Sequence, residues 1–360
     1  MDTLKNHQIE SAEIVVPCEN LAENLAFLAE TLEFRLLTVY PADAPRVAVL
    51  SGYGCRIRLE EQAGAAPVSL HLLCKETDIA SLSAKKIVPP NGIRLEFEAT
   101  DASPYVPDLL PSLTVRKADQ SNWGVGRAGM QYRDLIPDRW GDAYIASHIR
   151  IPQGGPVADY VHFHDIIFQL IYCYKGWVRV VYEDQGPAFV MHAGDCVLQP
   201  PHIRHQVLEC SDEFEVIEVG CPAEHATQVD HEMTLPTQQH KAHRKFSGQD
   251  FCFHQSASAH WSAWSSTGFE RRDTGIARAT SNRASVSVVR PEPGTHSAQC
   301  SHSAELLFLF ILQGSMTLEC PNNEFSPLLA GDACTIPPGT DYQLSICSPD
   351  LEFLEVTSSG

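Results

Sequence analysis

From about residue 121 onward the chain repeats itself, and this constrains the fold more than any other feature. GMQYRDL at 129–135 matches GFERRDT at 268–274, KGW at 175–177 matches QGS at 313–315, and AGDCVLQPP at 193–201 matches AGDACTIPP at 330–338. The offset drifts only from 139 to 137. An internal repeat of this kind means that one structural unit has been used twice. Within each copy, short runs rich in Val, Ile and Leu are separated by Gly and Pro, the punctuation of a β-sandwich or β-barrel. The sequence therefore predicts two related β-domains in tandem.

Ahead of the repeat, residues 11–61 read as strand, helix and three strands: SAEIVVP, NLAENLAFLAETLEF, RLLTVYP, RVAVLSG and CRIRLEE. Leu21, Leu25, Leu28 and Leu32 stand at helical spacing in the second of these. This βαβββ order and the phrase VPCENLAENLAFLAETLEF resemble the vicinal oxygen chelate (glyoxalase-like) superfamily. The superfamily's metal-binding position on the first strand falls on Ala12 here, and Glu60 stands where a later carboxylate ligand would sit. One carboxylate is a poor site for a divalent metal, so this module is expected to be non-catalytic. The expected organisation is a glyoxalase-like βαβββ domain at 1–118, a first barrel at 119–225, a linker at 226–262 and a second barrel at 263–360.

Function classes can be narrowed from charge. Lys and Arg number 26 against 45 Asp and Glu, a net charge of −19, which opposes phosphate contacts and makes nucleic acid an unsuitable partner. No apolar run reaches the roughly 20 residues of a membrane span, and the opening MDTLKNHQIESAEIVV has no leader pattern. A cytoplasmic protein with no membrane partner is expected. The twelve cysteines contain no C-x-x-C pair and are read as small buried apolar residues.

The first copy carries the chemistry. Gly155 is followed after six residues by His162-Phe163-His164, then four residues to Gln169 and six to Gly176; Gly194 is followed by Pro200, Pro201, His202 and His205. Residues two apart on a strand face one way, so His162 and His164 project into one barrel interior. The odd separation of Gln169 from His164 requires a turn between them. His205 then closes the group from beyond the Pro200-Pro201 turn. Three imidazoles with positions left open are the layout of a catalytic metal site. Among 16 histidines, His148, His192, His202 and His225 lack such framing.

These spacings resemble the two cupin motifs, G-x5-H-x-H-x(3,4)-E-x6-G and G-x5-P-x-G-x2-H-x3-N. The resemblance implies two jelly-roll β-barrels and a divalent metal on His162, His164 and His205, with Gln169 at the position often held by Glu. Three neutral imidazoles and an amide would leave the centre at +2, which favours an anionic, oxygen-bearing chelator. Gln169 is then either a ligand or a hydrogen-bond partner of one. Arg204, beside His205, is a candidate clamp for a substrate carboxylate.

All-histidine sites of this kind resemble those of gentisate-type and β-diketone-cleaving dioxygenases, which implies Fe(II) and O2. Mn, Ni, Cu and Zn also suit imidazole ligands. The expected function is a dioxygenase acting on a small oxygenated, anionic molecule. A lyase or isomerase using the same ion as a Lewis acid, and a non-enzymatic small-molecule binder, are the alternatives. In the second copy the ligand positions read Cys300, His302, Leu307 and Tyr342, a degenerate set expected to hold no metal. That barrel is expected to serve structure or formation of a homodimer.

Overall fold

The run LLFLFIL at 306–312 has no alternation of apolar and polar residues, which is the mark of a strand buried on both faces. In the computed structural model it forms the strand Leu306–Gln313. Leu306, Phe308 and Phe310 pack in one hydrophobic cluster, and Leu307, Leu309 and Ile311 in another. The structure describes residues 9–31, 33–52, 54–62, 69–84, 94–100, 104–120, 122–321 and 324–359. Leu32 and residues 1–8 of the opening segment lie outside them.

The chain divides into two compact units. The larger comprises Val106–Val161, Ile166–Glu224 and Met233–Gly360 and contains the repeat. Two seven-stranded sheets in it have the same order. One runs Cys252–His254, Cys196–Gln199, Phe168–Lys175, Phe214–Cys221, Ile145–Ile151, Gln131–Asp134, Gly124–Val125. The other runs Thr114–Arg116, Ala333–Thr335, Leu306–Gln313, Glu352–Ser358, Ala284–Pro291, Phe269–Asp273, Ser262–Ala263. The two sheets share a core that includes Phe168, Leu170, Tyr172 and Ile217 from the first and Phe308, Phe310, Leu354 and Val356 from the second. Each sheet's other face lines its own barrel, with Ile149, Cys173, Val197 and Val216 in the first and Leu309, Ile311, Cys334 and Phe353 in the second.

The segment preceding each barrel adds an edge strand to the other barrel. Thr114–Arg116 pairs antiparallel with Ala333–Thr335, and Cys252–His254 pairs with Cys196–Gln199. The approximate two-fold relation extends to side chains: Arg133 and Arg150 lie over the Trp123 ring, as Arg272 and Arg290 lie over Trp261. The turns of KGW and QGS need glycine, because Gly176 and Gly314 have φ of 72° and 70°, a region that costs a residue with a Cβ.

The smaller unit comprises Met1–Tyr105, His162–Asp165 and His225–Glu232. Its strand Ile9–Cys18 is followed by the helix Leu21–Ala26, capped by Asn20 and continued by a π-helical turn. Strands Arg35–Tyr40, Val47–Gly52 and Cys55–Glu61 follow as an antiparallel meander. Ile9–Cys18 pairs parallel with Cys55–Glu61, so the βαβββ order read from the sequence is present. Phe34, Val39, Leu50 and Leu59 form its core with Leu21. Glu60 is taken up by Arg58, whose Nε donates to it at 2.6 Å. The strand His162–His164 pairs with Thr227–Val229, which in turn pairs with Arg35–Tyr40.

Candidate metal centre

Alternation on the strand His162–His164 leaves Phe163 half-buried and buries the histidines on either side of it. His162 is 1% exposed and His164 is 6% exposed. Their rings stand edge-on with centroids 5.3 Å apart. In register with His164 is the fully buried Thr227, whose Oγ1 lies 3.1 Å from His164 Nδ1 and orients that ring. The ring of His225 stands 5.4 Å from His164.

His205 opens the strand His205–Cys210 after the Pro200-Pro201 turn. At the turn position where the motif has glycine, His202 adopts a left-handed φ of 65°; Gly339, its counterpart in the second copy, has 73°. His205 Nδ1 donates to the Ile203 carbonyl at 3.0 Å, which in a neutral ring leaves the lone pair on Nε2. Tyr182 stacks on it at 5.5 Å. Burial lowers the His205 pKa to about 4, because a charged imidazolium is disfavoured away from water. The ring is therefore neutral at physiological pH, the form that binds a metal.

Ligand atoms of His162, His164 and His205 all lie within 4.8 Å of one another. Among the described residues this is the one His, Cys, Asp or Glu group of three or more with metal-binding geometry. The second-copy positions do not form such a group. Leu307 is part of the barrel core, and Cys300 is buried with its Sγ 3.3 Å from Ser266 Oγ.

Gln169 lies on Phe168–Lys175, separated from His164 by the break at 165–167. It shares the inward face with Ile171 and Cys173 and is 1% exposed. Its Nε2 donates to Glu218 in a short hydrogen bond. Its Oε1 is buried without a hydrogen-bond partner. An orphaned buried acceptor costs about 1–3 kcal/mol, and a cation is a partner that would satisfy it. The residues present thus fit a divalent ion.

Arg204 directly precedes the strand His205–Cys210 and is partnered by Glu183. Its backbone N–H donates to Glu183 Oε2 at 3.3 Å, and its Nη1 stands 3.9 Å from the same atom.

Two site residues escaped the reading of the sequence. Glu218, on the neighbouring strand Phe214–Cys221, places a carboxylate one hydrogen bond from Gln169. A signal was available: IEV at 217–219 recurs as LEV at 354–356, an acidic residue at one place in an apolar strand of each copy. The other is Arg127, which pairs with the fully buried carboxylate of Asp159 and lies over the Tyr160 ring. Burial opposes its charge, but the adjacent Asp159 outweighs this and holds its pKa above the usual range. Asp159 Oδ2 accepts from the Val207 N–H at 2.9 Å, tying the pair to the His205 strand. Nothing local in the sequence marks Arg127.

No family model and no curated protein matches the sequence. Solved structures do. The E. coli protein Ylba superposes with a TM-score of 0.50 at 10% identity, covering 71% of this chain and 94% of that one. A deletion mutant of Bacillus subtilis oxalate decarboxylase OxdC gives 0.50 at 13% identity, covering 72% and 80%. The fold is that of a bicupin. At such identities the likeness concerns the fold alone, and activity has to be argued from the site. The bicupin repeat here keeps three imidazoles in its first barrel and none of that set but His302 in its second.

Proposed function

We propose that this bicupin is a metal-dependent enzyme whose first barrel holds one divalent ion on His162, His164 and His205, with Gln169 Oε1 completing the donors. The observation that carries this is the convergence of three buried imidazoles, the His205 ring held neutral and aimed by its bond to the Ile203 carbonyl. Three imidazoles and an amide oxygen fill four positions of an ion that, as Fe(II), takes up to six, and so leave room for a substrate. An ion there supplies Lewis acidity and, as Fe(II), a redox couple for O2 chemistry.

The reading we favour is an Fe(II)-dependent dioxygenase acting on a small oxygenated compound. The donor set is nitrogen-rich, and the buried surroundings keep bulk water from the ligands. In this reading the substrate, expected from the sequence to be anionic, offers oxygen donors to the ion, and Asp159 pairs with Arg127. Twelve free cysteines, ten of them buried, suit the reducing cytoplasm. Among the described residues no helix is long and apolar enough to cross a membrane.

The test is metal analysis of protein purified without added metal, followed by an oxygen-electrode screen of diketones and hydroxylated aromatic acids after loading with Fe(II). Oxygen consumption with stoichiometric product supports the dioxygenase. Turnover without oxygen consumption replaces it with Lewis-acid chemistry at the same site, and binding without turnover removes the enzymatic reading.

A further inference from the structure

A glutamine amide has two ends of nearly equal shape, and its hydrogen-bond network decides which end points where. Inside the first barrel that decision falls to Glu218. Its carboxylate oxygen accepts from Gln169 Nε2, which leaves Oε1 as a buried acceptor without a hydrogen-bond partner. The reverse orientation would set two acceptors against each other.

The second barrel supplies an internal comparison. Glu355 occupies the equivalent place on Glu352–Ser358, facing the interior as its neighbour-but-one Phe353 does. There the residue corresponding to Gln169 is Leu307, and Glu355 accepts instead from Trp264 Nε1 at 3.2 Å. Both barrels thus keep the interior carboxylate. Only the barrel with three clustered imidazoles gives it an amide to orient.

Resting on the reading that the first barrel holds a divalent ion, we propose that Glu218 is a positioning residue of that centre: it fixes Gln169 so that the amide oxygen serves the ion. Partners of this kind orient ligands and tune metal affinity, and their loss typically weakens binding about 10- to 100-fold.

The test uses the full chain and Co(II) as the probe, read by affinity and by visible absorption, which reports coordination geometry. Parent protein should bind one Co(II), and His205→Ala should abolish it; failure here overturns the metal reading itself. Glu218→Leu should weaken Co(II) by about tenfold or more and shift the spectrum to that of Gln169→Leu. In the Gln169→Leu background, adding Glu218→Leu should change neither readout further. Glu218→Gln, whose amide oxygen can still accept from Gln169, should keep the parent spectrum. If Glu218→Leu does not fold, Glu218→Ser, too short to reach Gln169, carries the same expectations. Parent affinity and spectrum in Glu218→Leu or Glu218→Ser would overturn the proposal. So would a penalty that persists in full without Gln169, because Glu218 would then act on the ion directly.

Discussion

Gln169→Glu tests the electrostatics of the centre most sharply, because the new carboxylate would face Glu218 where an amide N–H now donates. Two carboxylates about 3 Å apart cannot both ionise. At an effective dielectric near 20, two unit charges at that separation repel by about 5 kcal/mol. Since 1.4 kcal/mol is a factor of ten, one of the two acids keeps its proton at neutral pH in the metal-free protein. Gln169 is 1% exposed, so water relieves little of this. A divalent ion must then displace the proton. Metal binding to Gln169→Glu should release about one proton at pH 7 and weaken as pH falls. Binding to the parent should release fewer protons, since the Gln169 amide carries none to displace. Calorimetry in two buffers of different ionisation enthalpy measures the proton directly. Equal proton release by parent and variant would refute the assignment of Glu218 as the partner of Gln169.

Further outcomes follow from other parts of the structure. Arg127→Met strands the fully buried Asp159 carboxylate and should lower stability by about 3–5 kcal/mol in urea denaturation; adding Asp159→Asn should recover much of the loss, and no recovery would count against the pairing. Replacing Cys300 by Ser and His302 by Ala together should leave metal content unchanged within error, whereas loss of metal would place the centre in the wrong barrel. The pH dependence of the metal-free protein has a defined sign. His205 protonates near its ordinary 6.5 when unfolded but near 4 when folded, so its contribution is complete above pH 6.5 and is lost as pH falls toward 4. Thermal melts between pH 7 and pH 4 should therefore decline more steeply for the metal-free parent than for His205→Leu; parallel curves would contradict the burial of a neutral ring.

The architecture was legible where the determinants are local or periodic. The repeat predicts two like β-domains, and two seven-stranded sheets of identical order bear this out. Alternation at His162-Phe163-His164 foretells which rings turn inward, and the odd step to Gln169 foretells the break at 165–167. The remainder depends on contacts far apart in sequence. Gln169 and Glu218 are 49 residues apart, and a charge on a central strand does not announce what it faces. Thr114–Arg116 and Cys252–His254 are three-residue strands, too short for a period-two pattern, so their exchange between barrels left no mark. Arg127 sits in a short turn whose meaning comes only from Asp159. Glu218 escaped the reading for the same reason: its place beside Gln169 is set by the pairing of two strands far apart in sequence.

The central claim is one catalytic-type metal centre in the first barrel. It is tested most directly by elemental analysis of the parent chain and of His205→Ala, each purified without added metal and then equilibrated with Fe(II) or Co(II). One ion per chain in the parent and none in His205→Ala, with the same far-ultraviolet circular dichroism, is the predicted result. Two ions per chain, or an ion that survives the loss of His205, would contradict it.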